Sequence, residues 1–230
     1  MLYVSIDIET TGLIPEKCNV IQFGAVLEDT EKNLPINELP KYEVLLEWNE
    51  YRADSTWALR QHVAIWDKLE TYKNKSEEEK EKANIIKPWE LGESFQYWLL
   101  THGVIEKKTD PINVAGKNFA AFDWRHLEHV PNFFKHIKFS SRIIDPAMLY
   151  WNPKEDKRTP SLGDCLKRAG MEKEIEHTAV ADALDVIKVI RYKTLLDDLV
   201  YSTWDESSNG ISEVRQILIN GVINGSKKIN

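Results

Sequence analysis

The chain has 230 residues, a hydrophobic content of 42% and a formal net charge of −7. This content suffices for one compact domain, and no apolar run reaches the roughly 18 residues of a membrane span, so we expect no membrane association. The acidic excess argues against a broad electropositive groove for long duplexes, because nonspecific nucleic-acid affinity comes chiefly from Lys and Arg. The two cysteines, Cys18 and Cys165, lie far apart, and no basic leader precedes the first apolar run. We therefore expect reduced thiols and a cytoplasmic protein.

A short apolar run, Leu2 to Ile6, leads into two carboxylates, Asp7 and Glu9. Its β-branched and aromatic residues predict a strand, and the alternation of a strand puts Asp7 and Glu9 on one face. A divalent cation between them would turn their repulsion into ligation, because Mg²⁺ and Mn²⁺ prefer carboxylate oxygens. Taken alone, the pair is more typical of an exposed strand edge than of a metal site.

The residues that follow strengthen the metal interpretation. Thr10, Thr11 and Gly12 predict a turn that ends the first strand, and Leu13 places an apolar side chain beside the carboxylates. The next apolar run, Val20 to Leu27, predicts an antiparallel partner strand.

The middle of the chain alternates strand and helix patterns. We predict a third strand over 44–48, an amphipathic helix over 57–72, a charged solvated helix or loop over 73–87, and a second amphipathic helix over 88–102.

A third carboxylate, Asp123, follows an extended run from Ile112 to Ala115 and opens a helix predicted to reach His129. A carboxylate in the first turn of a helix commonly complements the helix dipole, so this position alone does not distinguish a structural from a functional role.

A histidine and a fourth carboxylate come near the predicted closing helix, 178–199. His177 lies five residues before Asp182. Alone, such a histidine is more often a cap or surface residue, and Asp182 alone would serve as a partner for Lys188 or Arg191. Upstream, Ile143 and Ile144 predict a short strand, with Asp145 as the structural cap of the next helix, and 161–169 predicts a further helix.

Taken together, these residues occur in the order Asp, Glu, Asp, His, Asp. Their order and local settings resemble the DEDDh 3′–5′ exonuclease superfamily, which includes polymerase proofreading subunits, ribonuclease T and oligoribonuclease. The resemblance covers residues 2 to about 198, and its motifs are Asp7-Ile8-Glu9-Thr10-Thr11-Gly12-Leu13, Phe122-Asp123 and His177-Thr178-Ala179-Val180-Ala181-Asp182.

The resemblance implies an α/β fold, a ribonuclease-H-like mixed β-sheet flanked by α-helices, with residues 1–200 as the exonuclease domain. It implies two Mg²⁺ or Mn²⁺ ions held by Asp7, Glu9, Asp123 and Asp182, with His177 as the general base. It also implies a pocket for the terminal nucleotide. The residues of that pocket are Thr10, Thr11, Gly12, Leu13, Asn118 and Phe122.

One position departs from the family pattern. Many relatives have asparagine four residues before the second-motif aspartate, where this chain has Phe119, with Asn118 one residue earlier.

The implied activity is metal-dependent release of nucleoside 5′-monophosphates from the 3′ end of single-stranded nucleic acid, with DNA favoured. Trimming of RNA ends is the alternative within the enzyme class, since the motifs do not reveal contacts to the 2′ position. A binding module on the same fold, acting on nucleic acid or protein, is the alternative outside it.

Two segments remain open to more than one interpretation. A basic stretch is either a solvated face or a path for the substrate strand; it comprises Lys135, His136, Lys138, Arg142, Lys154, Lys157 and Arg158. The tail, 201–230, predicts an amphipathic helix that packs on the domain, forms a homodimer or binds a protein partner.

Overall fold

The structure is a computed structural model that describes residues 1–171, 178–202 and 220 of the chain. Its strands are β1 (Leu2–Thr10), β2 (Val20–Asp29), β3 (Lys41–Leu46), β4 (Ile85–Ile86), β5 (Ile112–Ala115) and β6 (Phe139–Ile144). Its helices are α1 (Thr56–Gln61), α2 (Val63–Tyr72), α3 (Glu77–Lys82), α4 (Leu91–Thr101), α5 (Asp123–Leu127), α6 (Phe133–His136), α7 (Ala147–Tyr150), α8 (Leu162–Ala169) and α9 (Ala179–Ser202).

The strands form one mixed sheet in the order β4-β3-β2-β1-β5-β6. β1 runs antiparallel to β2 and parallel to β5, with Val4 opposite Val114. The carboxyl ends of β1 and β5 therefore lie at the same edge of the sheet, and a residue that follows β5 is brought close to the end of β1. The predicted mixed β-sheet flanked by α-helices and the predicted antiparallel partner of β1 are confirmed.

The two faces of the sheet are buried by different helices. Val4, Ile6 and Ile8 of β1 pack in one hydrophobic cluster with α4, whereas Tyr3 packs in a second cluster with α8 and α9. Because strand side chains alternate, Asp7 and Glu9 lie on the Tyr3 face, which α9 covers. This burial pattern sets the direction from which α9 approaches the carboxylates.

The amphipathic helix predicted over 57–72 is wrong as a single element. It is interrupted at His62, whose φ of −112° and ψ of 33° separate α1 from α2. Two apolar residues of this segment lie outside the core, since Trp57 is 66% exposed and Val63 is 56% exposed. The side chain of His62 is buried instead. The burial of His62 against distant parts of the chain overrides the helical periodicity of this segment.

The charged segment predicted over 73–87 as a solvated helix or loop is more structured than expected. It contains α3, which begins at a capping box of Ser76 and Glu79, and β4, which pairs with β3. Lys80 is buried because its Nζ lies 2.9 Å from a carboxylate oxygen of Glu47. The cost of burying the Lys80 charge is thus offset by an acidic partner on the neighbouring segment.

Other predictions have simpler outcomes. Cys18 and Cys165 are both buried free thiols, as expected. The predicted tail helix lies outside the described residues, apart from Asn220. None of the helices that the structure describes combines the length and apolar character of a membrane span.

Candidate active site

The first turn of α9 docks against the strand that pairs with β1. Asp7 lies opposite Gly24 in the register, and an added Cβ at Gly24 would lie 2.5 Å from the backbone carbonyl carbon of Ala179. Only glycine permits this approach. Gln22, opposite Glu9, accepts a hydrogen bond at its Oε1 from the backbone N–H of Ala179, 3.1 Å away.

Asp182 follows in this turn of α9, where its backbone N–H donates to the carbonyl of Thr178 at 3.0 Å. α9 therefore carries Asp182 to the sheet face on which Asp7 and Glu9 lie.

Asp123 lies at the start of α5, and the preceding strand, β5, brings it close to β1. Its carboxylate is buried beside the backbone N–H of Ile8, the residue between Asp7 and Glu9. Burial raises the pKa of Asp123 to about 8, against the opposing effect of its backbone hydrogen bonds. The sequence motif that opens α5 is therefore tied directly to the first motif in β1.

Glu9 has a partner that the sequence did not indicate. Its Oε2 lies 3.3 Å from Nε2 of His62, and both side chains are largely buried, with 14% and 8% exposure. No local pattern singles out His62, because its partner lies in a distant strand and the pattern of the surrounding residues predicts one continuous helix. The break between α1 and α2 places this imidazole against the carboxylate.

The candidate metal ligands are carboxylates from three separate segments of the chain. Among the described residues, no three His, Cys, Asp or Glu side chains form a group that holds a metal ion as they stand. The chemistry of the four carboxylates nevertheless fits Mg²⁺ or Mn²⁺, which prefer oxygen ligands. The buried Asp123 adds to this fit, because a nearby cation would offset the burial that raises its pKa.

The turn after β1 is held by a residue from the segment before α1. Backbone N–H groups of Leu13 and Ile14 donate to the two carboxylate oxygens of Asp54, at 2.9 and 3.1 Å. Thr10 Oγ1 donates to the carbonyl of Gly12 at 2.6 Å, and a Cβ at Gly12 would lie 1.5 Å from Asp54 Oδ1. Gly12 is thus required by this close approach. The Leu13 side chain is left 67% exposed beside the turn.

Thr11 contributes to the same turn from inside the protein. It is buried, and its hydroxyl donates to the carbonyl of Arg52 and accepts from the backbone N–H of Asn19, 2.8 Å away. Its hydroxyl holds the 52–54 segment against the end of β1. The predicted contact of Thr11 with a terminal nucleotide stays a prediction.

The segment before Asp123 explains the departure from the family pattern. Phe119 is fully buried, with its ring 5.2 Å from that of Phe139. It therefore belongs to the core. Asn118 is exposed with a φ of 60°, and its backbone N–H donates to a carboxylate oxygen of Asp145 at 3.0 Å. Phe122 is half-buried, with its ring 4.3 Å from that of His126.

Asp145 has a structural role, but it lies one residue before the cap position predicted for it, which Pro146 occupies. One carboxylate oxygen accepts from Asn118, and the other accepts from the backbone N–H of Ala147 at 2.8 Å, at the start of α7. His177, the predicted general base, lies outside the described residues.

The chain is similar in structure to solved exonucleases, three of which are described here. One is E. coli exonuclease I in complex with a dT13 oligonucleotide, with a TM-score of 0.52 and 15% identity over 89% of this chain and 44% of that one. A full-length 3′-exonuclease gives a TM-score of 0.55 and 15% identity over 86% of this chain and 60% of that one. Another structure of exonuclease I gives a TM-score of 0.55 and 16% identity over 96% of this chain and 43% of that one.

In the order given, the chain thus spans 44%, 60% and 43% of the lengths of these three structures. At these identities the likeness establishes the fold alone, which is the ribonuclease-H-like mixed β-sheet flanked by α-helices that the motifs implied. No family model matches the sequence, and no curated protein matches it.

Proposed function

We propose that the chain is a metal-dependent 3′–5′ exonuclease that releases nucleoside 5′-monophosphates from the 3′ end of single-stranded nucleic acid, with DNA favoured. The observation that carries the proposal is the burial of the Asp123 carboxylate beside the backbone of Ile8. It joins the second motif to the first between Asp7 and Glu9, on the fold of solved exonucleases. Catalytic groups from distant segments converge in this way at the ends of neighbouring strands.

The proposed ligands of two Mg²⁺ or Mn²⁺ ions are Asp7, Glu9, Asp123 and Asp182. When bound, the ions supply positive charge to the attacking and leaving oxygens of the phosphodiester. Asp123 keeps its place through its burial against the backbone of β1, and His62 restrains Glu9. In this mechanism His177 takes the proton of the attacking water, since an imidazole with an ordinary pKa near 6.5 accepts a proton at neutral pH.

The turn after β1 supports recognition of a strand end. Asp54 fixes the backbone of Leu13 and Ile14, and both side chains are exposed. In the proposal, Leu13 packs on the last base, while Thr10, Gly12 and the buried Thr11 shape the wall beyond the terminal sugar. Asn118 and Phe122 approach from the segment before Asp123. The single-stranded oligonucleotide bound to E. coli exonuclease I favours a single-stranded substrate.

Hydrolysis of labelled 20-nucleotide single-stranded DNA and RNA, side by side, tests the proposal. We expect Mn²⁺ or Mg²⁺ to be required, EDTA to abolish the reaction, and DNA to be degraded faster. Replacement of the carboxylate that both ions share, Asp7→Asn, should reduce the rate by several orders of magnitude, on the order of 10³-fold or more.

Asp67→Asn, an exposed aspartate of α2, provides the matched control and should retain the wild-type rate. Faster degradation of RNA would assign the exoribonuclease alternative. If the folded wild-type protein binds both the DNA and the RNA oligonucleotide and cleaves neither, the chain is a binding module.

A further inference from the structure

A cleft of about 420 Å³ lies at the start of β5 and β6, on the sheet face that carries α4. We call it the basic cleft and define it by Lys108, Lys135 and Lys138, with Trp124 and Phe134. The three lysines are exposed. The basic cleft thus combines positive charge with aromatic surface, at a distance from the carboxylates of the candidate active site.

The lining of the basic cleft carries an excess of positively charged side chains. No Asp or Glu is among the described residues that line it. The nearby Asp110 carboxylate accepts instead from the backbone N–H groups of Glu106 and Lys107. Within the described part of the chain none of the three cleft lysines forms an ion pair, whereas Lys80 and Lys87 share the carboxylate of Glu47. In a chain with a net charge of −7, this local excess favours an anionic ligand.

The walls of the basic cleft are fixed by buried hydrogen bonds. The buried side-chain amide of Gln96 donates to the carbonyl of Lys108 at 3.2 Å and also to the carbonyl of His136. The backbone N–H of Ile112 donates to the carbonyl of Lys138 at 2.9 Å. The lysine-bearing segments before β5 and β6 are therefore held together, and the cleft needs little ordering to bind a ligand.

The aromatic part offers a stacking surface. The rings of Trp124 and Phe134 are stacked, with centroids 6.0 Å apart and an interplanar angle of 27°. Phe134 is 37% exposed, so one aromatic surface stays accessible beside the lysines. A basic groove with aromatic platforms is the usual arrangement for single-stranded nucleic acid, because every base has a stacking face.

The position of the basic cleft suits a strand whose end lies at the carboxylates. Asp123 and Trp124 are consecutive on α5, and the first faces the backbone of β1 while the second lines the cleft. Since Val4 pairs with Val114, about five residue steps of strand, on the order of 17 Å, separate the start of β5 from the level of Asp7. The basic cleft lies on the α4 face of the sheet and Asp7 on the α9 face, so the path of a bound strand between them is longer than this distance. At about 3.4 Å for each stacked nucleotide, the path takes more than about five nucleotides.

We propose that the basic cleft binds single-stranded nucleic acid more than about five nucleotides upstream of the 3′ end. This inference rests on the proposed exonuclease function and adds to it a second contact with the same strand. Lys108, Lys135 and Lys138 contact phosphates, and the exposed surface of Phe134 stacks on a base.

Fluorescence anisotropy of labelled dT20 and dT3, without divalent cations so that no hydrolysis occurs, tests the cleft. We expect the double variant Lys135→Ala/Lys138→Ala to bind dT20 about 10-fold more weakly than wild type. Its slope of log affinity against log salt should fall by about 1.4, since each lost phosphate contact removes about 0.7 for single strands. The matched control is Lys167→Ala, an exposed lysine of α8 on the opposite face of the sheet, which should bind like wild type.

Hydrolysis of dT3 with Mn²⁺ separates this inference from the proposed function, because dT3 is too short to reach the cleft. The double variant should hydrolyse dT3 at the wild-type rate. An unchanged affinity and salt slope for dT20, with dT3 still hydrolysed, would overturn the cleft assignment alone. Failure of wild type to hydrolyse any oligonucleotide would refute the proposed function, while the metal-free binding arm would still decide whether the cleft holds a strand.

Discussion

Nε2 of His62 lies 3.3 Å from Oε2 of Glu9, and both side chains are largely buried. His62 stands at the break between α1 and α2, where the backbone leaves the helical conformation. Glu9 is a proposed metal ligand. His62 is therefore a positioning residue, because its imidazole orients the carboxylate of Glu9. Loss of such an outer partner typically costs 10- to 100-fold in metal affinity or activity.

We therefore expect His62→Ala to raise the Mn²⁺ concentration needed for half-maximal activity by about 10-fold or more. His62→Gln, which keeps a hydrogen-bonding side chain, should restore part of the affinity. Isothermal titration of Mn²⁺ measures the same effect without turnover. His102→Ala, an exposed histidine at the end of α4, is the control. An unchanged metal requirement in His62→Ala would remove His62 from the site.

Asp123 predicts a pH dependence of stability in the absence of metal. Burial raises its pKa from 3.8 to about 8 in the folded protein. Between about pH 4 and pH 8 the folded state therefore binds more protons than the unfolded state, so stability falls as pH rises through this window. One such group contributes at most about 1.4 kcal/mol for each pH unit.

Thermal unfolding in EDTA at pH 5, 6, 7 and 8 measures this contribution. We expect Asp123→Asn to flatten the decline toward pH 8 and to unfold at a higher temperature than wild type there, while hydrolysis is lost. Parallel curves for wild type and Asp123→Asn would mean that this carboxyl is not the source of the pH dependence.

We expect a substitution of Gly24 to disturb the carboxylate site selectively. A methyl group there would lie 2.5 Å from backbone atoms of Ala179 and Val180, and backbone cannot yield as a flexible side chain does. Gly24→Ala should displace the first turn of α9, with Asp182, at a cost of about 1 to 3 kcal/mol in unfolding free energy.

Gly163→Ala in α8 is the matched control, because the atom nearest to its added Cβ is 3.9 Å away. It should leave hydrolysis unchanged and stabilise the helix slightly, since glycine is a poor helix former. Urea unfolding and hydrolysis rates together check the pair. Equal activity in the two folded variants would show that the position of α9 does not matter for the reaction.

The parts of the fold that were predicted correctly have local causes. Alternation and β-branched residues identify β1 and β2, and Ser161 and Gly170 mark the ends of α8 through a capping box and a left-handed residue. The second-motif Asp123 was found through its sequence context, and the structure then places it against Ile8.

The parts that were missed depend on contacts between distant segments. The break at His62 follows from its burial against Glu9, and the ties of Asp54 to Leu13 and Ile14 cross from one loop to another. Neither has a local pattern. The composition of α3 likewise suggested that its lysines are solvated. Lys80 is instead buried, because Glu47, which follows β3, forms an ion pair with it.

The polarity of the reaction is the central claim of the proposed function. A closed turn, fixed by Asp54 and leaving Leu13 exposed, fits a strand that ends at a free 3′ hydroxyl. A 3′-phosphate would bring further negative charge toward Glu9. Like charges in a partly desolvated site repel by several kcal/mol, on the order of a 10²-fold or greater loss of productive binding.

The most direct measurement compares three single-stranded DNAs of equal length with Mn²⁺: a 3′-hydroxyl strand, the same strand with a 3′-phosphate, and a circular strand. We expect stepwise release of mononucleotides from the 3′-hydroxyl strand, strong resistance of the 3′-phosphate strand and no cleavage of the circle. Equal rates on both linear strands, or cleavage of the circle, would contradict this expectation and indicate an endonuclease with an open cleft.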